Sequence, residues 1–451
     1  MQQEAGSLIM VELFTAAREA TAAKVIHRKQ ILMALFASTA GWSLDLFDLF
    51  LLLFVAPTIG ALFFPTNVPT LSLAGVYAAF ATSCVVRPIG SIVFGNYADK
   101  FGRKKALLAA MGGVGVITAL MGALPTVKQI GVGATILFVM MRLLQGLFVG
   151  GVTASTHTIG TETVPPSWRG WVSGVITGAG GGIGALLASS VFYLMSSIFP
   201  GPAFESWGWR CMFFSGLLAA IFALFIFYNL NESPFFVEMQ KNKKVGTKAP
   251  IKVLFSPQYR RIALINILVV LGAASMYYLT SGYMPTFLGV INKLPKPVAA
   301  KALIWGSLVA TISPIIVGQL SEMYGRRKAF IGTGILGFGI FGFLGYPHLA
   351  RVTGVPAITF YAALLILVGN AAYAPVLIFL NERFPTAIRA TGTAVCWNFG
   401  FAIGGLMPML VSASSRQVAD IPSHLNWFLL VVTALMLIGI LAAPETKGNF
   451  E

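Results

Sequence analysis

Twelve long apolar segments constrain this chain more than any other feature of its sequence. They lie at approximately 31–60, 71–97, 105–125, 131–160, 170–198, 209–230, 262–288, 301–321, 329–346, 355–381, 390–413 and 425–443. An apolar helix of about 20 residues crosses the hydrocarbon layer of a bilayer, and each segment is close to that length. We therefore predict an all-α integral membrane protein with twelve transmembrane helices.

The composition supports this reading. Hydrophobic residues make up 57% of the 451 residues and charged residues 10%, against roughly 45–50% and 25% in soluble globular chains. The net charge of +16 raises the possibility of a nucleic-acid partner. The basic residues, however, are separated by long uncharged apolar runs. We therefore expect the partner to be a lipid bilayer and not nucleic acid.

Basic residues are distributed unevenly over the segments that join the predicted helices. With both termini on the same side, one set of segments carries 22 Lys and Arg and the other carries seven. Positive residues favour the cytoplasmic side of a membrane. The pattern predicts a multi-pass protein of the plasma (inner) membrane whose two termini lie in the cytoplasm.

Short motifs recur between the two halves at a near-constant offset. Residues 95–104 (GNYADKFGRK) match residues 318–327 (GQLSEMYGRR) in the spacing of glycine, acid and arginine, and residues 162–170 match residues 382–390 in the same way. Such repeats are typical of transporters with a site at the midplane. They predict a cytoplasmic N-terminal segment (1–30), a six-helix bundle (31–230), a cytoplasmic central loop (231–261), a second six-helix bundle (262–443) and a cytoplasmic tail (444–451).

Nearly the whole chain resembles the major facilitator superfamily. Residues 95–105 look like its signature loop between helices 2 and 3, and residues 142–146 (RLLQG) resemble its helix 4 motif. Residues 207–210, 231–234 and 444–448 resemble landmarks of the sugar-porter and metabolite–proton symporter branch. The resemblance implies two pseudo-symmetric bundles that expose a central cavity to each side in turn.

The branch within the superfamily is indicated by the first two helices. Residues 87–90 (RPIG) are similar to the metabolite–proton symporters, whereas residues 41–48 (GWSLDLFD) look closer to the sialate and monocarboxylate symporters. Helix 4 of those branches usually continues Gly-Gly-Glu, but Val152 follows Gly150 and Gly151 here. A charge that such relatives keep near the substrate path is absent at this position.

Asp45 and Asp48 are the only acidic residues deep inside a predicted helix. Being three apart, they share one face of that helix, and two neighbouring buried carboxylates resist simultaneous ionisation. The resemblance implies that Asp48 pairs with Arg142 when ionised and releases it when protonated. The alternative is a static buried ion pair. Asp45 either shares in proton coupling, binds substrate in the cavity, or hydrogen-bonds its own helix.

Polar and aromatic side chains of both halves are candidate substrate ligands, because such groups orient ligands in largely apolar pockets. For Arg87 the alternative is that it bonds to carbonyls freed beside Pro88, and for His157 that it is a satisfied polar residue. For the candidates of the second half the alternative is polar contacts between helices. The candidates are Asp45, Arg87, Arg142, Gln145, His157, Tyr277, Tyr278, Tyr283, Asn370, Tyr373, Trp397 and Asn398.

The repeated loop motifs predict a cytoplasmic gate. Acids and arginines at matched positions can form ion-pair networks across the halves, among them Glu162 with Arg169 and Glu382 with Arg389. The resemblance implies that these networks hold the cytoplasmic side shut and break when it opens. The alternative is surface pairs of about 0–1 kcal/mol each. The gate residues are Gly95, Asp99, Gly102, Arg103, Glu162, Arg169, Glu322, Arg326, Glu382 and Arg389.

We therefore expect a proton-coupled symporter of a small organic acid, acting as a monomer. A proton-coupled sugar or polyol porter and a non-transporting membrane sensor are the alternatives. The sequence has no GxxxxGK[ST] phosphate-binding motif, so no ATP site is expected, and we expect neither a cofactor, a metal nor enzymatic activity.

Overall fold

The computed structural model describes residues 28–162, 169–229, 254–385 and 388–448. Most of the predicted N-terminal segment and of the predicted central loop lies outside the described residues. Within the described part, twelve helices are long and apolar enough to cross a membrane. The predicted all-α fold with twelve spans is thereby confirmed.

The spans are labelled α1–α12 in chain order, and several consist of more than one helical piece. The first half contains α1 (Arg28–Phe54 and Ala56–Phe63), α2 (Pro69–Phe101), α3 (Arg103–Gly122), α4 (Val132–Glu162), α5 (Arg169–Gly174, Val175–Ala179 and Gly180–Ile198) and α6 (Phe204–Gly208, Trp209–Phe214 and Leu217–Asn229). The second half contains α7 (Pro257–Tyr277, Tyr278–Gly282 and Met284–Val290), α8 (Lys296–Tyr324), α9 (Arg326–Leu344), α10 (Val355–Ala371 and Val376–Glu382), α11 (Arg389–Ser414) and α12 (Ile421–Leu441).

The second half begins earlier along the chain than the apolar pattern predicts. Helix α7 starts at Pro257 rather than at 262, and α8 starts at Lys296 rather than at 301. Both starts have a proline in the first turn, where its missing N–H is harmless. Charged residues end an apolar segment without ending a helix, which explains the difference.

The two halves share a backbone feature at matched positions. Gly102 precedes α3 with φ of 103°, and Gly325 precedes α9 with φ of 105°. Residues with a side chain rarely adopt this backbone conformation, so glycine is favoured at both turns. The equivalent strain-free turns support the internal duplication that the sequence motifs predict.

The halves meet along two pairs of helices, α2 with α11 and α5 with α8. At the second contact, Gly178 faces the ring of Pro314 and Gly182 faces Thr311. Small residues let helix backbones approach closely within a bilayer. The glycine-rich α5 therefore forms a tight seam between the bundles.

The backbones of helices α2 and α4 also approach each other closely. A Cβ added at Gly90 would meet the carbonyl of Leu147, and one added at Gly146 or Gly150 would meet the carbonyl of Ser83 or Arg87. These three glycines therefore place Ser83 and Arg87 directly against α4.

Substitution of Gly90 by alanine should lower the thermal stability of the purified protein, because its methyl group has no space beside the Leu147 carbonyl. Gly112→Ala is the matched control, since Gly112 is also helical and has nothing within 4 Å of an added Cβ. Alanine is favoured over glycine in a helix by about 0.5–1 kcal/mol, so the control should be neutral or stabilising. Equal melting temperatures for the two variants in detergent would contradict the packing.

Candidate functional site

Four buried charged side chains meet near the middle of the bundle. Asp45 and Asp48 on α1, Arg87 on α2 and Arg142 on α4 expose 4%, 4%, 7% and 2% of their surface. Asp45 interacts electrostatically with Arg87, and Asp48 with Arg142. A lone charge at the centre of a membrane helix costs roughly 2.5–3.5 kcal/mol. Because two positive and two negative charges lie together here, their mutual attraction offsets much of that cost.

Asp48 is held by an uncharged neighbour. The Nε2 of Gln145 donates to both carboxylate oxygens of Asp48 at 2.7 Å and to Oγ1 of Thr118 at 2.7 Å, and Thr118 also contacts Asp48. On its other side, the Oε1 of Gln145 accepts from Nη1 of Arg142, whose Nη2 donates to Ser83 at 3.0 Å. Gln145 therefore lies between Asp48 and Arg142, which interact electrostatically without a direct hydrogen bond in the described chain. Their pairing when Asp48 is ionised, and its release on protonation, stay a prediction.

Several polar atoms of the central cluster are buried without a hydrogen-bond partner in the described part of the chain. They are Oδ1 of Asp45, Nε of Arg87, Nε of Arg142 and the hydroxyl of Tyr277. Leaving a buried polar group unpaired costs about 1–3 kcal/mol, and more for charged groups. These unpartnered donors and the unpartnered carboxylate oxygen are therefore available to form hydrogen bonds with a ligand.

Aromatic side chains of the second half cover this cluster. The aromatic wall consists of Tyr277, Tyr278, Tyr373, Trp397 and Phe401. The rings of Tyr277 and Tyr373 stack at 5.2 Å, and those of Trp397 and Phe401 at 4.3 Å. Trp42 of α1 contacts Trp397 at 5.8 Å. The charged cluster of the first half thus faces an aromatic surface of the second half, as expected of a site between the two bundles.

The other predicted substrate ligands lie around this centre. Tyr283 donates to or accepts from Ser412 at 2.8 Å, and Asn370 donates to Ser281 at 2.7 Å. Asn398 donates to Ser91 across the seam at 3.3 Å. These residues make contacts between helices in this structure and do not touch the charged cluster directly. The side chain of His157 lies outside the described residues.

The two halves are in direct contact between the cluster and the end of the bundle predicted to be external. The hydroxyls of Tyr77 and Thr286, one from each half, are 2.8 Å apart, and the rings of Tyr77 and Tyr283 stack at 5.0 Å. A small cavity lies between the two halves, lined by Phe50, Phe54, Ala185, Ser281, Leu303, Ser307, Ala310 and Ile366. The space enclosed by the two halves is therefore narrow in this conformation.

Sequence reasoning misses four residues of this region, namely Tyr77, Ser83, Thr118 and Thr286. Hydroxyl side chains are common in membrane helices, where they frequently bond to their own backbone. No spacing distinguishes Thr118 from such residues. The roles of Ser83 and Thr118 become visible only from the packing of α2 and α3 against α1 and α4, and those of Tyr77 and Thr286 only from the contact between the two halves.

An ion-pair cluster lies at the end of the second half that is predicted to be cytoplasmic. Nη2 of Arg326 is 2.8 Å from Glu322 and 2.9 Å from Glu382. The side chains of Arg326 and Glu382 are 3% and 2% exposed, and Thr446 donates to Glu382 at 2.7 Å. Removing one partner of such a buried pair typically costs 3–5 kcal/mol, so this is more than a surface contact.

The predicted partners within this gate are only partly those observed. The sequence predicts Arg389 as the partner of Glu382, but the structure gives Arg326 and Thr446, all in the same half. Nε of Arg389 donates to the Phe384 carbonyl at 3.1 Å. Gly95 and Gly102 lie in α2 and at its end. The side chains of Asp99, Arg103, Glu162 and Arg169 lie outside the described residues, so pairing across the halves stays a prediction.

Glu445 joins the C-terminal tail to this cluster. Its carboxylate accepts from the backbone N–H groups of Arg326 at 2.8 Å and Arg327 at 3.1 Å, at the start of α9, where the helix dipole favours an anion. Burial acts in the opposite direction, yet the N–H groups of Lys447, Arg326, Thr446 and Arg327 hold the pKa of Glu445 below its ordinary value.

Comparisons with known proteins agree on the kind of molecule. Residues 33–254 and 237–450 match the family described as "Sugar (and other) transporter". The inner membrane metabolite transport protein YhjE of Escherichia coli (strain K12) is 30% identical over 420 residues, which cover 92% of this chain and 94% of that protein. The proline/betaine transporter of the same organism is 28% identical over 436 residues, covering 94% and 86%.

A solved structure has the same fold. The crystal structure of a D-xylose–proton symporter aligns with a TM-score of 0.71 at 19% identity, covering 93% of this chain and 99% of that chain. This similarity confirms the predicted fold of twelve helices in two bundles.

The Glu445 contact predicts an acid-sensitive component of stability. A carboxylate whose pKa is lowered on folding stabilises the protein above its unfolded-state pKa, and this contribution disappears as the pH falls through the lowered value. The melting temperature of wild type should therefore fall from neutral pH to below about pH 4 more steeply than that of Glu445→Gln, given an ordinary Glu pKa of about 4.3.

Glu205→Gln is the control for this measurement. Glu205 is exposed at the opposite end of the bundle and pairs only at 3.9 Å with Lys296. The melting temperature of Glu205→Gln should therefore depend on pH in the same way as that of wild type. Parallel curves for wild type and Glu445→Gln would show that the tail contact contributes nothing.

Proposed function

The chain belongs to the sugar (and other) transporter family of the major facilitator superfamily, and we propose that it carries a small carboxylate-bearing metabolite together with a proton. It is a multi-pass membrane transporter rather than an enzyme. In this proposal it works by alternating access as a monomer in a plasma (inner) membrane, with both termini in the cytoplasm.

The observation that carries this proposal is the set of unpartnered polar atoms on buried charges at the seam. Asp45, Arg87 and Arg142 each bury an atom without a partner in the described part of the chain. They face the aromatic wall of the other bundle. A ligand bound here contacts both halves, so its binding can change the relative stability of their arrangements.

Asp48 is the proposed proton carrier. It is buried, lies beside the second carboxylate Asp45 and has two arginines within electrostatic range. Protonation removes one negative charge from the cluster, which leaves the guanidinium groups of Arg87 and Arg142 in excess over the carboxylates. An anionic substrate restores the balance, which couples binding of the proton to binding of the substrate.

A small organic acid fits this arrangement best. Arginine binds carboxylates with a planar set of N–H donors, and Arg87 and Arg142 both have an Nε without a partner in the described chain. The hydroxyl of Tyr277 is a further unpartnered donor. A monocarboxylate or a related anion thus meets three donors in an apolar surrounding.

A zwitterion is a second candidate, supported by a separate observation. The aromatic wall lies beside Asp45, since Tyr277 and Tyr373 both lie within electrostatic range of its carboxylate. Aromatic faces together with a carboxylate bind a substituted ammonium group. The similarity to proline/betaine transporters agrees with a substrate that carries both charges.

A sugar or polyol porter has support from the family description and the xylose symporter, but Gln145 and Asn370, which are suitable ligands, are engaged within the protein.

Replacement of Asp48 by asparagine should abolish accumulation driven by a pH gradient and retain exchange of substrate, because asparagine mimics the protonated carboxyl. Uptake and counterflow of radiolabelled substrate into proteoliposomes measure the two activities. Asp420→Asn is a control at an exposed carboxyl far from the cluster. Gradient-driven accumulation that survives in Asp48→Asn would disprove the assignment.

The substrate classes differ in the charge that they carry with one proton. A monocarboxylate such as lactate moves without net charge, whereas glycine betaine and D-xylose each move one positive charge, worth about 2.3 kcal/mol per 100 mV. We expect uptake of lactate with no current on solid-supported membranes. A current on adding glycine betaine would favour the zwitterion, and a current on adding D-xylose alone would refute the carboxylate proposal.

A further inference from the structure

Gln145 occupies the only position in the described cluster that contacts both the proposed proton carrier and an arginine. Its Nε2 donates to Asp48, and its Oε1 accepts from Arg142. It lies three residues after Arg142 on α4 and is 1% exposed. We propose that Gln145 is the positioning residue through which the protonation state of Asp48 is transmitted to Arg142.

The charges on either side fix the orientation of the Gln145 amide. A carboxylate only accepts hydrogen bonds and a guanidinium only donates them. The amide therefore has to point Nε2 towards Asp48 and Oε1 towards Arg142, and both Nε2 hydrogens are used, one by Asp48 and one by Thr118. As long as Asp48 is ionised, this single orientation gives both the nitrogen and the oxygen of the Gln145 amide a partner.

Protonation of Asp48 removes the reason for that orientation. The new O–H group is a donor and requires an acceptor. In this proposal the acceptor is Oε1 of Gln145, the oxygen of the amide that already contacts Asp48. When Oε1 turns to the protonated carboxyl, Arg142 loses an acceptor and retains Ser83. Its Nη1 and its already unpartnered Nε then favour an anion, namely the carboxylate of the substrate. No covalent bond changes; the proton remains on Asp48 until the substrate leaves.

The other charged and titratable groups around this network set its surroundings. Asp45 lies on the same helix as Asp48, and Arg87 faces both carboxylates from α2. Cys84 of α2 and Tyr278 of α7 lie within electrostatic range of Arg142. None of these groups contacts Asp48 and Arg142 at once through hydrogen bonds in the described chain, so a change at Gln145 isolates the transmission step.

The inference rests on the proposed proton-coupled transport, and Ser83 provides a matched control. Gln145→Leu removes the link between Asp48 and Arg142. Ser83→Ala removes the other hydrogen bond of Arg142 and leaves Asp48 untouched. If Gln145 only stabilises Arg142, the two variants should behave alike; if it transmits protonation, they should differ.

The experiment measures the affinity for a probe across the pH range in detergent. The probe is lactate, glycine betaine or D-xylose, according to which one raises the melting temperature of wild type. Wild type and Ser83→Ala should bind it at least about tenfold more weakly at alkaline than at acidic pH, within the range typical of coupled sites. Gln145→Leu should bind it with less than about threefold change. A pH dependence equal to wild type in folded Gln145→Leu would overturn the inference.

A second variant decides the matter if Gln145→Leu does not fold. Gln145→Glu retains an acceptor for Arg142 but places a carboxylate beside Asp48, so the pH at which affinity falls to half should move upward; an unchanged midpoint would overturn the inference. Asp48→Asn is measured in parallel. A pH dependence retained in Asp48→Asn would refute the proposed proton carrier itself, which separates that failure from a failure of Gln145.

Discussion

A charged side chain buried in an apolar bundle needs opposite charge and hydrogen-bond partners, and this requirement organises the centre of the molecule. Asp45, Asp48, Arg87 and Arg142 balance one another in charge but do not satisfy one another completely. The glycines of α4 bring Ser83 and Arg87 of α2 against it, and this close approach allows the four charges to share one region. Their remaining unpartnered atoms give the protein a site where it otherwise has packed apolar side chains.

The two carboxylates of α1 have different neighbours although they are only three residues apart. Asp48 is enclosed within the first bundle by Gln145 and Thr118. Asp45 interacts with Arg87 and with tyrosines of the second bundle. One carboxylate is thus shielded from the seam and the other lines it. This separation supports distinct roles in the proposed function, with the proton on Asp48 and the substrate beside Asp45.

Much of the fold could be predicted from the sequence, because the lengths of the apolar segments and the charges of the connecting loops can be read directly from it. The twelve spans followed from the apolar segments, and the repeated glycines predicted a duplication that the backbone at Gly102 and Gly325 supports. The start of α7 at Pro257 was missed because a basic first turn hides a helix from hydropathy.

In the site, the scarcity of buried acids singled out Asp45 and Asp48. The insertion of Gln145 between Asp48 and Arg142 could not be predicted, since it depends on the distance between α1 and α4. The contact between Tyr77 and Thr286 depends likewise on how the halves dock.

In the proposed mechanism, Asp48 takes up a proton inside the bundle and Asp45 does not substitute for it. Infrared difference spectroscopy on the purified protein, recorded between alkaline and acidic medium, detects the C=O stretching band of a protonated carboxyl directly. We expect a band from a buried carboxyl in wild type that persists in Asp45→Asn and disappears in Asp48→Asn. A band that remains in Asp48→Asn, or that disappears only in Asp45→Asn, would contradict it.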